Sequence, residues 1–188
     1  MKVVDIGCGP NKTPGALGVD RVDCEGVDVI VDLAIFPWPF EDGEFDVVIS
    51  NHFLEHCEDL ETTISELHRI TKRDTGSIRV RCPHYSSWNY YADITHRTPF
   101  SIRSFDHFLL NDSTGYNYYS AVKFNLNRRR IHFVSPKAKH NPWKWLGIDY
   151  LANKYSRFYE RLFAFTIPCT EVEFDLSPIS LTQNHNDG

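Results

Sequence analysis

The residues with the plainest chemical use open the chain. Val3-Val4-Asp5-Ile6 is a short, mostly β-branched run that passes straight into Gly7-Cys8-Gly9-Pro10. A buried strand entering Gly-x-Gly makes a turn without side-chain bulk, so its backbone can approach a ligand closely. Asp20 closes the next apolar run, Gly18-Val19-Asp20, and Asp32 closes the one after it. In an open α/β sheet both carboxylates reach the carboxyl edge of the strands beside that turn. There Asp20 can accept the two hydroxyls of a ribose, and Asp32 can receive an adenine amino group or cap a local turn. A dinucleotide fold would want a third glycine at residue 12, where this chain has Lys12, and no helix start is evident to take a pyrophosphate. NAD is therefore the weaker ligand, and one that carries ribose and adenine without a phosphate fits better.

A second group lies between His84 and Arg97, in the run His84-Tyr85-Ser86-Ser87-Trp88-Asn89-Tyr90-Tyr91-Ala92-Asp93-Ile94-Thr95-His96-Arg97. Histidine takes a proton near neutral pH and a neighbouring carboxylate can orient it, so His84 and His96 are the first candidates for a general base, with Asp93 as their partner. The alternative is that these side chains satisfy one another in a packed loop. Asp93-x-x-His96 with His84 could supply three metal ligands, but loop spacing is permissive and no fourth ligand stands out, so no metal is assigned. His56 reads as helix-start packing or lining, and Cys8 as a small side chain filling the turn.

These residues need a scaffold. Val3 to Ile6, Ala16 to Val19, Val27 to Val31 and Phe45 to Ile49 are of strand length, rich in β-branched residues and closed by Asp, Gly or Ser. Asp59 to Lys72 predicts a helix with Asp59 as N-cap and Leu60, Ile64 and Leu67 on one face. A fifth strand with Ile78, Val80 and Cys82 follows, stopped by Pro83. Residues 84–120 lack a sustained period and predict an irregular cover over the substrate side. Ile131 to Ser135 predicts a strand, Tyr150 to Phe165 a helix with Leu151, Tyr155, Phe158, Leu162 and Phe165 on one face, and Glu171 to Leu176 a last strand. The tail at 183–188 reads as flexible.

Composition sets the outer limits. The chain has 188 residues, 41% of them hydrophobic, which suits a single domain with one core. A net charge of -5 excludes a uniformly basic nucleic-acid binder. The charge is uneven: residues 1–60 hold three basic side chains against thirteen acidic, and residues 121–165 hold ten against two. Arg128, Arg129, Arg130, Lys137, Lys139 and Lys144, interleaved with aromatics, could bind an anionic acceptor, RNA or a lipid surface, although a solvated face that balances the acidic half explains them slightly better. Five cysteines without CxxC spacing predict reduced thiols and a cytoplasmic protein. No apolar run approaches the roughly 18 residues of a membrane span.

Taken in order, Val4-Asp5-Ile6-Gly7-Cys8-Gly9-Pro10, Gly18-Val19-Asp20, Asp32-Leu33, Pro37-Trp38-Pro39-Phe40-Glu41-Asp42-Gly43-Glu44-Phe45-Asp46-Val47-Val48 and Leu54-Glu55-His56 resemble the motifs of class I S-adenosylmethionine-dependent methyltransferases, more narrowly the type 11 group, over about residues 1–83. The resemblance implies a Rossmann-like, doubly wound, mostly parallel α/β sheet with an antiparallel last strand, and S-adenosylmethionine as cofactor. It would place Asp5, Gly7 and Gly9 along the methionine moiety, Asp20 on the ribose, Asp32 and Leu33 at the adenine, and Asn51, His52 and Glu55 beside the sulfonium. The implied partner is a small-molecule or glycan-like methyl acceptor; a homodimer stays open.

Two departures accompany the resemblance. Only Pro10 to Leu17 separate the glycine turn from the second strand, too few for the usual helix, and no helix precedes the first strand, so the first helices are shortened or missing. Residues 84–120 or a partner subunit are expected to close the cofactor site instead. Arg79 and Arg81 on a central strand require either a thinly covered sheet face or carboxylate partners. Two rival functions are a non-catalytic cofactor-binding scaffold and an RNA methyltransferase that uses the basic second half, with a nicotinamide oxidoreductase a distant third.

Overall fold

The computed structural model of the protein describes residues 1–110, 120–134 and 140–180. Seven strands form one sheet: β1 (Val3–Ile6), β2 (Leu17–Asp20), β3 (Val29–Ile30), β4 (Val47–Asn51), β5 (Ser77–Pro83), β6 (Phe124–His132) and β7 (Glu171–Pro178). Their order is β3-β2-β1-β4-β5-β7-β6. Strands β1 to β5 pair in parallel and β7 runs antiparallel to both β5 and β6. The chain order reverses between β1 and β4, and such a switch point leaves a crevice at the carboxyl ends of the strands. The glycine turn leaves β1 at that point.

As the short spacing predicts, no helix stands between β1 and β2, and a single 3-10 turn, Gly9–Asn11, takes its place. The turn is pinned to β2 by Gly7 N–H and Cys8 N–H, both donating to the Val19 carbonyl at 2.8 and 3.2 Å. Gly18 is glycine for packing: a Cβ there would stand 2.3 Å from the Gly26 carbonyl oxygen.

Helix α1 (Leu60–Ile70) begins where its sequence predicts. Asp59 accepts from Thr62 N–H at 3.0 Å, and Ile64, Leu67 and Ile70 are buried in the core. Its last turn also fixes the loop before β4. The Arg69 guanidinium donates to Glu66 at 2.7 Å, to the Phe40 carbonyl at 2.7 Å, to the Trp38 carbonyl at 3.0 Å and to Asp42 at 2.9 Å.

Strand β5 alternates cleanly. Ile78, Val80 and Cys82 are buried, while Arg79 is exposed and Arg81 half-buried. Arg81 donates to Glu173 of β7 at 2.6 Å. Both explanations offered for these arginines therefore hold, since that sheet face is thinly covered and Arg81 has a carboxylate partner.

Three expectations need correction. The strand predicted at Ile131 to Ser135 lies earlier, at Phe124–His132. Its Asn- and Arg-rich start hid an edge strand whose polar residues face solvent or pair with β7, and Ser135 falls outside the described residues. The cover at 84–120 contributes to the core, because Phe100, Ile102 and Phe105 are 1–2% exposed. The helix predicted at Tyr150 to Phe165 is two helices, α4 (Ile148–Lys154) and α5 (Ser156–Leu162), joined at Tyr155. They follow the short α2 (Trp88–Ala92) and α3 (Pro142–Trp145).

The apolar stripe of α4 and α5 points outward. Leu151, Tyr155, Phe158, Leu162 and Phe165 are 53, 54, 58, 55 and 73% exposed, while Ala152, Tyr159 and Ala164 are buried. The reason lies in the polar face, which docks on the edge strand. Asn153 accepts from Ile131 N–H at 2.8 Å and donates to the Ile131 carbonyl at 3.0 Å, extending the sheet's hydrogen bonding into a side chain, and Arg130 meets Asp149 at 2.5 Å. The tail predicted to be flexible at 183–188 lies outside the described residues.

Candidate functional site

At the switch point, Gly9 has φ +47° and no atom within 4 Å of the place a Cβ would take. Its N–H donates to Asp20 Oδ2 at 2.9 Å, and Asp20 Oδ1 accepts from Val22 N–H at 3.1 Å. The carboxylate ending β2 thus faces the open side of the turn. Beneath it, Asp5 is 1% exposed; Oδ2 accepts from Thr13 N–H at 2.7 Å, while Oδ1 is buried without a hydrogen-bond partner. Burial pushes the Asp5 pKa up. An orphaned buried acceptor under an open glycine is what a cation-bearing ligand would complete.

Gly7 differs from its expected role. It has φ +68°, and a Cβ would lie 2.5 Å from the Phe53 ring, so its missing side chain makes room for Phe53. The turn is open at Gly9 and filled at Gly7 on the Cβ side. Asp32 is exposed, and its carboxylate accepts from Ala34 N–H at 3.1 Å, the local turn the sequence offered as an alternative. Leu33 is 6% exposed in the core with its carbonyl taken by Trp38 Nε1–H at 3.1 Å, so its side chain does not face an adenine. Val22 and Ile35 are 54 and 65% exposed at this end. The described part of residues 84–120 leaves these two side chains uncovered.

The cover does border a second part of the site. A cleft of about 590 Å³ beyond β4 and β5 is lined by His52, Glu55, His56, Trp88, Asp93 and His96, among others. His52 follows Asn51 at the end of β4 with φ +53°, a strained backbone for a non-glycine residue. It lies 3.2 Å from Glu171 and 3.4 Å from Glu55. Hydrogen bonding to Glu171, then to Glu55, raises its pKa to about 9, so it is an imidazolium at neutral pH. A 3-10 turn, Leu54–His56, carries Glu55 and His56 into the cleft. Glu55 is fully buried, and apart from the His52 contact at 3.4 Å neither carboxylate oxygen has a hydrogen-bond partner. His96 Nδ1 donates to the Tyr90 carbonyl at 2.8 Å, which leaves Nε2 3.9 Å from both Glu55 and Asp93.

His84 is not in this cleft. It is fully buried, with Nδ1 on Ser86 at 2.8 Å and Nε2 on Glu160 at 3.1 Å. The packed-loop alternative describes it. Replacing His84 by alanine should lower stability by about 1–3 kcal/mol, because Glu160 and Ser86 lose a buried partner, and leave ligand affinity within twofold. Thermal unfolding beside calorimetry checks this; an unchanged melting temperature with lost turnover would return His84 to the chemistry. Sequence reasoning missed Phe53 and Glu171, which only the fold brings near the turn and His52, and it undervalued His56, whose signal was the Leu54-Glu55-His56 run itself.

The cysteines have no reactive setting among these groups. All five are free, and burial pushes the Cys8 and Cys57 thiols up to about 11 and Cys169 to about 12. No described helix is long and apolar enough to cross a membrane.

The strand order, the lone antiparallel β7 and a glycine turn at the switch point define the class I S-adenosylmethionine-dependent methyltransferase fold. The methyltransferase domain family of the type 11 group matches residues 14–78, a stretch that takes in Asp20, Asp32 and Leu54-Glu55-His56. Among solved structures, a SAM-dependent methyltransferase from Archaeoglobus fulgidus is 20% identical with a TM-score of 0.59, covering 93% of this chain and 85% of that one. One from Thermotoga maritima is 15% identical with a TM-score of 0.55, covering 94% and 81%. The [4+2]-cyclase SpnF is 14% identical with a TM-score of 0.53, covering 95% and 75%, so this fold alone does not fix the reaction. No curated protein matches the chain.

Proposed function

We propose that this protein binds S-adenosylmethionine across the glycine turn and transfers its methyl group to a small-molecule or glycan-like acceptor in the cleft beside Glu55, His56 and His96. The observation that carries this reading is the open face of Gly9 with the Asp20 carboxylate held on its N–H at 2.9 Å, above the orphaned Asp5 Oδ1. Asp20 would hold the ribose hydroxyls, Asp5 the ammonium side of the methionine moiety, and Val22 and Ile35 would flank the adenine. When bound, S-adenosylmethionine supplies a sulfonium methyl: the acceptor's lone pair forms the new bond to carbon while the S–CH₃ pair returns to sulfur.

The chain's own part is alignment and exclusion of water, the main sources of acceleration for an in-line displacement. Trp88 lines the cleft, and His96 turns its Nε2 toward the acceptor's side. Of the expected catalytic set His84, His96 and Asp93, this reading keeps His96 with Asp93 beside it. The RNA alternative loses ground, because Arg129 and Arg130 are engaged with Asp106 at 2.8 Å and Asp149 at 2.5 Å.

Titration calorimetry with S-adenosylmethionine, S-adenosylhomocysteine and NAD tests the reading. Micromolar binding of the first two and none of NAD is expected; tight binding of NAD alone would overturn it. The scaffold alternative gains if cofactor binding is intact while broad acceptor panels show no methyl transfer.

A further inference from the structure

We propose that Glu55, His56 and His96 form a binding site for a divalent transition-metal ion of the zinc, iron or cobalt type. One ligand atom from each of the three lies within 4.8 Å of the others. Two nitrogens and a carboxylate oxygen suit such an ion, whose bonds to these atoms are about 2.0–2.2 Å, so that ligand atoms of a tetrahedral set stand about 3.4 Å apart. Coordination therefore asks for a contraction of up to about 1.4 Å, which half-exposed His56 can supply in part by rotating its ring.

Three independent features point the donors inward. Glu55 is fully buried; the His52 imidazolium meets Oε1 at 3.4 Å while sharing its other nitrogen with Glu171, and Oε2 has no hydrogen-bond partner. A buried carboxylate held by one long contact to a shared cation can take a second cation. His96 Nδ1 is taken by the Tyr90 carbonyl at 2.8 Å, which turns Nε2 toward Glu55 and Asp93 at 3.9 Å each, too far for a direct hydrogen bond and wide enough to admit an ion. His56 Nδ1 contacts Thr95 Oγ1 at 2.8 Å, the outer hydrogen bond that commonly orients a metal-bound imidazole and leaves the other nitrogen to ligate. Asp93 Oδ2 is a fourth donor within reach, and the open positions face the cleft. The sequence reading assigned no metal because it paired Asp93 and His96 with His84; the fold substitutes Glu55 and His56.

Resting on the proposed methyl transfer, the ion would take the place of His96 as the group that lowers the acceptor's pKa, holding a hydroxyl oxygen whose remaining lone pair attacks the methyl, so the substrate class narrows to hydroxyl acceptors. The site itself does not depend on that reading. Protein stripped with chelator and titrated calorimetrically with Zn²⁺ and Co²⁺, with Mg²⁺ as the hard-cation comparison, should bind one equivalent of Zn²⁺ or Co²⁺ and develop visible Co²⁺ absorption. His56→Gln, on a half-exposed position, and His96→Gln, whose amide can keep a hydrogen bond to the Tyr90 carbonyl, are each expected to fold and to weaken binding at least 100-fold. No stoichiometric binding, equal binding in both variants, or a preference for Mg²⁺ would overturn the proposal. S-adenosylmethionine binding by the same stripped protein separates the outcomes: cofactor bound without metal sinks the metal site alone, and metal bound without cofactor sinks the methyltransferase reading alone.

A different observation carries a second proposal. We infer that the outward face of α3, α4 and α5 docks on an anionic lipid surface. Trp145, Tyr150 and Phe158 are 87, 63 and 58% exposed, and Lys144, Lys154, Arg157 and Arg161 are exposed among them. The two carboxylates between His140 and Pro168 are turned away: Asp149 is buried against Arg130 and Glu160 accepts from Ile102 N–H at 2.6 Å. A pocket of about 390 Å³ lined by Arg128, Lys144 and Lys154 opens beside this face. Exposed aromatics with charge of one sign match a headgroup layer, which attracts cations while accepting apolar side chains. The full chain should co-sediment with vesicles containing phosphatidylglycerol and not with pure phosphatidylcholine, and Phe158→Ser with Leu162→Ser should reduce the bound fraction at least fivefold. Equal binding to both vesicle types, no binding, or a concentration-dependent dimer in sedimentation velocity that the same variants abolish would overturn it, the last assigning the face to a second copy.

Discussion

Replacing Arg69 by alanine should lower the free energy of unfolding by about 3–5 kcal/mol, the cost of stranding a buried ion-pair partner. Glu66 is 7% exposed and accepts from Arg69 through both carboxylate oxygens and from Trp38 N–H at 2.7 Å. Without the guanidinium that carboxylate keeps one backbone donor, and the carbonyls of Trp38 and Phe40 lose theirs. The Asp42 contact adds little, because its carboxylate is 70% exposed and well screened. Arg69→Lys keeps the charge but cannot reach four acceptors with a forked group, so it should recover less than half of the loss. Chemical denaturation of the two variants checks this, and a loss under about 1 kcal/mol for alanine would show that water replaces the guanidinium. The effect should reach the site, because the loop that Arg69 ties down leads into β4, and β4 ends in Asn51 and His52.

What could be read in the sequence followed the strength of local signals. Strands β1, β2 and β4 and helix α1 stand close to their predicted places because β-branched runs, an Asp N-cap and a helical period agreed there. The substitution of a 3-10 turn for the first helix followed from counting residues between Gly9 and Gly18. The period at Leu151, Tyr155, Phe158, Leu162 and Phe165 was genuine, but the inference that it faces the core was not. Asn153 and Asp149 dock the helices through their polar side, a preference that exists only once edge strand β6 stands beside them. Strand β6 was misplaced for a related reason: the Asn127 side chain donates to Asp175 and Ser177 of β7 while Asn125 and Arg128 face solvent, an edge arrangement no alternation pattern reveals.

The site was legible where one segment supplies both donor and backbone, as at Gly9 and Asp20. It was not legible where contacts join distant segments. His52 with Glu171, 119 residues away, and Gly7 with Phe53 depend on the register of β4 against β1 and β5. His84 was attractive as a histidine just past a strand end, and its burial against Glu160 is a tertiary fact. The reverse holds for Glu55, whose chemical interest comes from being buried with one long contact to His52, a property that composition cannot carry.

Under the proposed function, Asp20→Ala should weaken S-adenosylmethionine binding by about 1.5–3 kcal/mol, roughly 10- to 150-fold, since hydrogen bonds from ribose hydroxyls to a charged acceptor are lost. The same carboxylate also accepts from Gly9 and Val22 N–H, so some of that loss could pass through a loosened turn rather than through the ribose. Asp20→Asn separates the two contributions. An amide keeps one oxygen for the Gly9 N–H, gives up the Val22 N–H bond, and presents a donor and no charge to the hydroxyls, so it should lower the melting temperature less than alanine does while losing as much of the affinity. A ligand lacking the ribose hydroxyls, 2′,3′-dideoxyadenosine against adenosine, gives the complementary arm: the wild type should prefer adenosine, and Asp20→Asn should lose that preference. If both variants bind S-adenosylmethionine as the wild type does, the carboxylate serves only the turn, and the open face of Gly9 must be explained by some other ligand.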